Sequence, residues 1–138
     1  MTNSPMAVIR LPLYVDLPRV RTADKRFILN LNNYRNAHYH ILNDAKVRYK
    51  DAVAMSCSGI TILPGPYLFA YRLFPGDRRL CDIANVLPIV QKFTDDALIT
   101  LGLIPDDNYK VIREVRYALG GVDRDNPRAE LEVYGTEL

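Results

Sequence analysis

The chain predicts a single α+β domain in which a mixed β-sheet carries two main helices. Three observations lead there. Asn36 to Met55 and Ile83 to Leu101 repeat apolar residues at helical spacing, several shorter stretches alternate or are rich in β-formers, and the two kinds are interleaved. At 138 residues, 49% hydrophobic and 25% charged, the chain can bury a core without a metal or a disulfide.

Val8 to Val15 is apolar and β-rich but holds Pro12, and Asp16 to Lys25 follows with Pro18 and several charges. This predicts an edge strand plus a loop, making residues 1–25 an N-terminal extension and 26–138 the domain proper. Arg26 to Asn32 alternates, with Phe27, Leu29 and Leu31 on one side, and predicts a half-buried strand. In the first helix Ile41, Leu42, Ala45, Tyr49, Ala52 and Val53 share a face, while Lys46 and Lys50 lie on a polar one. Ser56 to Gly59 breaks that helix. Ile60 to Phe74, interrupted by Pro64, Gly65 and Pro66, predicts strand, turn and strand or one interrupted strand, ended by the polar loop Pro75 to Arg79. The second helix gathers Val86, Leu87, Val90, Phe93, Ala97, Leu98 and Leu101, with Pro88 expected in its first turn and Gly102 past its end. Tyr109 to Leu119 and Arg128 to Tyr134 alternate like strands, a hairpin-like pair joined across Gly120-Gly121 and Asn126-Pro127.

Composition excludes several classes. Cys57 and Cys81 have no CxxC or Cys/His spacing, so neither a zinc site nor a disulfide framework is expected. No apolar run approaches the ~18 residues of a membrane span, and Met1 to Pro5 lack the order of a secretory signal. A cytoplasmic protein with no membrane contact is the expectation. Charge is divided unevenly: residues 1–50 hold nine Lys/Arg against three Asp/Glu, residues 51–138 nine against thirteen. A phosphate-binding surface beside metal-binding carboxylates would produce such a division, although folding can intermix the halves.

The candidate chemistry lies around the second helix. Asp82 stands at its entry, Lys92 and Asp96 share an outward stripe, and Asp106-Asp107 follows its end. Mg²⁺ takes hard oxygen ligands, often one or two carboxylates with water and phosphate oxygens, and a nearby lysine can bind a scissile phosphate. Each residue also has a plain structural reading. Asp82 suits a helix dipole as a solvated carboxylate, Asn85 an N-cap, Lys92 and Asp96 an i, i+4 surface ion pair, and Asp106-Asp107 a turn after Pro105. His38 and His40 have no companion ligand pattern and receive no catalytic role.

Gly76 to Val133 resembles the RusA-type Holliday-junction resolvases through an ordered run of features. Asp77-Arg78-Arg79-Leu80-Cys81-Asp82-Ile83-Ala84-Asn85 is similar to the family's basic run into an Asp-x-Asp-Asn signature. Lys92-Phe93 with Asp96-Ala97-Leu98 resembles its active-site lysine helix, Gly102 with Asp106-Asp107 its glycine and paired aspartates, and Arg128 to Val133 its closing strand. Leu29 to Arg35 and His38 loosely match its Asn-rich, Tyr-bearing segment, so about 110 residues are covered in all. The resemblance implies a homodimeric endonuclease that uses Mg²⁺, with Mn²⁺ as a substitute, and nicks four-way junctions and related branched DNA in bacterial cells, on behalf of phages or prophages. It implies Asp82 and Asp107 as metal ligands and Lys92 as the catalytic lysine. Ala84 departs from the pattern by replacing the second signature aspartate, and about one extra helical turn precedes Lys92. The missing ligand would come from Asp96, Asp106 or Asn85, or from nothing, which would leave a DNA binder. Phosphate contacts are expected from Asn30, Asn32, Asn33, Tyr34, Arg35, His38, Lys46 and Lys50, joined by Arg78 and Arg79.

Overall fold

Pro12 divides the first apolar stretch into two strands that serve different sheets. β1 (Ala7–Leu11) and β2 (Tyr14–Leu17) flank it, because a proline supplies no ladder N–H. β2 pairs antiparallel with β3 (Lys25–Ile28). A short α1 (Leu31–Asn36) and long α2 (Tyr39–Ser56) follow, then β4 (Tyr67–Phe74), α3 (Ile83–Thr100), β5 (Ile112–Leu119) and β6 (Arg128–Gly135). The computed structural model describes residues 4–19, 21–62 and 64–136. The fold is α+β, with a mixed sheet and helices against it.

The main sheet has the order β1-β6-β4-β5. β4 and β5 are parallel and joined through α3, while β6 lies between β1 and β4, antiparallel to both. The expected hairpin of β5 with β6 does not form. β6 buries Ala129, Leu131 and Val133 completely and suits an interior position, whereas β5 beyond Ile112 is largely exposed and suits an edge. The intervening segment crosses the end of β4, where Gly120 donates to the Leu73 carbonyl (2.8 Å) and Asp123 to that of Pro75 (2.8 Å).

Several boundaries also differ. β1 lies at a sheet edge as expected, yet it is no appendage: Ile9 and Leu11 are fully buried, and the expected boundary after residue 25 falls inside β3. The strand expected to reach Asn32 stops at Ile28, because Asn30 caps α1 by accepting from the Asn33 amide (2.8 Å). Of Ile60 to Phe74 only Tyr67 onward is a strand, and Leu63 lies outside the described residues.

One face of the sheet is buried by the helices. In register, Phe69 lies opposite Val133, Tyr71 opposite Leu131 and Leu73 opposite Ala129, all in the core. Against them α2 buries Ala45, Tyr49 and Val53, and α3 buries Leu87, Ile89, Val90, Phe93, Ala97 and Leu98. Phe93 is central, with ring centroids 6.3 Å from Phe27 and 5.5 Å from Tyr49. The Tyr49 and Thr94 hydroxyls share a buried hydrogen bond of 2.8 Å, so the helices are keyed as well as packed.

The ends of α3 decide what surrounds it. Pro88 is its sixth residue rather than part of its first turn, and it supplies no N–H to the Ala84 carbonyl. At the other end Gly102 (φ 74°) reverses the chain, with Gly102 donating to Ile99 (3.0 Å) and Leu103 to Leu98 (2.9 Å). This is a Schellman cap. It returns Asp107 to the flank of the helix it has just left.

Candidate active-site cleft

Pro88, Gln91, Lys92 and Asp95 recur at i, i+3, i+4 and i+7, forming one stripe along the flank of α3. They line an open cleft of about 520 Å³. Asp96 and Asp107 also line it, with Tyr117 of β5, Tyr34 of α1 and Lys46 of α2. Of the residues expected to carry chemistry, Lys92, Asp96 and Asp107 are therefore brought together.

Lys92 is exposed, its ammonium 5.9 Å from the centroid of the Tyr34 ring. The expected Lys92–Asp96 ion pair does not form, because Asp96 turns instead to Lys46 on α2, at 3.3 Å. Asp106 does not line the cleft. Its carboxylate accepts from the Asp107 amide (2.7 Å) and the Asn108 side-chain amide (3.0 Å), the turn that presents Asp107 to the cleft.

Asp95 is the residue that the sequence reading missed. It is only 6% exposed. One carboxylate oxygen accepts from the Gln91 side-chain amide (3.4 Å), and the Gln91 carbonyl accepts in turn from the Tyr117 hydroxyl. The other oxygen is buried, as is the nearby Tyr71 hydroxyl, and the two groups interact within the core. Burial raises the Asp95 carboxyl to about 7, with the charges of Asp107 and Asp96 adding to the rise and Gln91 and Lys92 opposing it. Burial also raises the Tyr71 hydroxyl, helped by the negative charge of Asp95.

Asp82 lies elsewhere. It occupies the N-cap position of α3 without a side-chain capping bond and lines a second hollow with Leu31, Cys81, Ala84 and Asn85. Ten residues of helix separate it from Lys92, about 15 Å at 1.5 Å per residue. Asp82 and Asp107 thus line different hollows rather than one shared cleft. Asn85 is in the first turn rather than at the cap, its backbone N–H donating to the Asp82 carbonyl (3.0 Å).

The expected phosphate contacts divide into two groups. Tyr34 and Lys46 line the cleft, and Lys50 borders an adjoining groove that shares Lys46 and Asp96. Arg35 ends α1 at the surface, Arg78 is exposed after β4, and Arg79 pairs with Asp77 at 3.0 Å. The others are partly occupied with local structure. Asn30 caps α1, Asn33 donates to the Ile28 carbonyl (2.9 Å), Asn32 accepts from Asn36 (3.0 Å), and His38 caps α2.

No protein-family model matches this chain, and a search of curated proteins finds no match either. Among the described residues, no helix is long and apolar enough to cross a membrane. Nor do three or more His, Cys, Asp or Glu side chains converge as a metal cage. The cleft does offer the exposed carboxylate oxygens of Asp107, which fits the sparse protein ligation that Mg²⁺ accepts.

Proposed function

We propose that the protein is a Mg²⁺-dependent endonuclease, able to use Mn²⁺, that hydrolyses phosphodiester bonds at four-way junctions and related branched DNA. One observation carries the reading: Lys92 and Asp107, from opposite sides of a helix end, line one open cleft with a second lysine, Lys46, at its rim. The ordered resemblance of Gly76 to Val133 to RusA-type resolvases, which includes both residues, supports it.

Asp107, an exposed carboxylate of the cleft, would hold the cation, with water completing its shell. When bound, the ion supplies an activated water and shields phosphate charge. Lys92 would donate to a non-bridging oxygen of the scissile phosphate, and Lys46 and Lys50 would grip the backbone beside it. Such contacts read no bases, so selectivity would come from branch shape. A homodimer would set two clefts on opposing strands of a two-fold junction. The bacterial cytoplasm is the compartment in which this substrate arises.

A second reading has its own observation. Ala84 and the separate position of Asp82 fit a branched-DNA-binding accessory protein with weakened chemistry. A labelled four-way junction, incubated beside matched duplex in Mg²⁺ and in EDTA, tests both. Paired Mg²⁺-dependent nicks support the nuclease; tight junction binding without nicks supports the accessory protein.

A further inference from the structure

We propose that Tyr39, flanked by His38 and His40, is a platform on which a nucleobase freed from pairing at the branch stacks, while its strand runs along α2 past Lys46 and Lys50. This deepens the nuclease reading and rests on it for DNA as the ligand.

Three aromatic rings open α2 side by side. Their centroids lie 4.7 Å apart for His38 and Tyr39, 4.0 Å for Tyr39 and His40, and 4.9 Å for His38 and His40. His38 is also fixed at the cap, where its Nδ1 accepts from the His40 backbone N–H (3.3 Å). All three residues are exposed, Tyr39 by 61%, and none packs against the core. Unpaired bases stack on exposed rings of this kind whatever their identity, because every base has a π-face.

The helix gives the platform a direction. Tyr39, Asn43, Lys46 and Lys50 recur at i, i+4, i+7 and i+11, one stripe of α2. Lys46 lines the cleft that holds Lys92, and Lys50 the adjoining groove. The stripe thus begins with an aromatic group and continues, ~10 Å further on, with two cations. Stacking combined with backbone charge is how single strands are held. Lys46 faces Asp96 at 3.3 Å and Lys50 faces Asp51 at 3.8 Å, yet both pairs are partly exposed, and exchanging such a carboxylate for a phosphate costs little. An intact duplex offers no free base face inside its length, so the platform favours a branch over a duplex.

The test is binding of two labelled single-stranded oligonucleotides of equal length to the full chain in EDTA, one carrying bases and one with an abasic centre. The unaltered chain should bind the base-bearing strand about five-fold or more tightly than the abasic one. Tyr39→Ala should remove most of that difference, Tyr39→Phe should keep it, and Lys46→Ala should weaken both strands alike. Tyr39 is exposed at the first position of α2, so its replacement by alanine leaves the core untouched. Equal binding of both strands by the unaltered chain, binding of neither, a difference that survives intact in Tyr39→Ala, or its loss in Tyr39→Phe would overturn the proposal. Junction nicking assayed in parallel in Mg²⁺ separates the two readings. The base preference without nicking leaves the platform standing and removes the nuclease, whereas nicking without the base preference does the reverse.

Discussion

The Lys46 ammonium lies 3.3 Å from the Asp96 carboxylate, bridging α2 to α3 at the rim of the cleft. Both side chains are partly exposed, so the pair contributes less than about 1 kcal/mol to stability. Its effect is on placement. Asp96 is drawn toward α2, and Lys92 is left facing the cleft beside Tyr34.

Lys46→Ala should therefore weaken junction binding while altering stability by less than ~1 kcal/mol. If Lys46 contacts a phosphate, the slope of log affinity against log salt should also fall by about one. Binding titrations at several salt concentrations check this, and an unchanged slope removes Lys46 from the interface.

Asp95 should make the fold less stable as pH rises. Its carboxyl sits at about 7 in the folded chain, against 3.8 for a free aspartate. Between those values the folded chain retains a proton that the unfolded chain has released, so stability falls through this window and levels off above it. From pH 5 to pH 8 the loss is on the order of 2 to 3 kcal/mol, and Asp95→Asn should abolish it. Urea unfolding at both pH values reads the difference. A metal-free wild-type chain as stable at pH 8 as at pH 5 would contradict the burial of Asp95.

Tyr49→Phe should cost about 1 to 2 kcal/mol, because the Thr94 hydroxyl stays buried after losing its 2.8 Å partner. Thermal unfolding checks it. Since the pair joins α2 to α3 in the core, the cost should be the same with and without DNA.

Gly102→Ala should destabilise by about 1 to 2 kcal/mol, the cost of a left-handed conformation for a residue with a Cβ. The side chain itself would meet open space, so the cost is one of backbone alone. Nicking should fall further than stability does, because the cap at Gly102 returns Asp107 to the cleft.

The sequence carried the parts of this fold that depend on local pattern. The buried faces of α2 and α3 were legible because Ala45, Tyr49 and Val53, or Leu87, Val90 and Leu98, repeat at helical spacing. Strand partners were not. β5 and β6 alternate alike in sequence, and only the burial of Leu131 against both Ile9 and Tyr71 places β6 between β1 and β4. In the cleft, Lys92, Asp96 and Asp107 were legible from type and spacing. Asp95 was passed over beside Asp96, although it stands three residues before the buried Leu98 and four after Gln91, the flank of the apolar face. Asp82 looked equivalent to Asp107 because sequence does not express which hollow each carboxylate lines.

The most direct test of the central claim, that the cleft around Lys92 and Asp107 is the reacting centre, is nicking of a four-way junction in Mg²⁺ by Asp107→Asn beside Asp82→Asn. The account predicts that nicking is lost in the first and retained in the second, with junction binding preserved in both. Undiminished nicking by Asp107→Asn would contradict it.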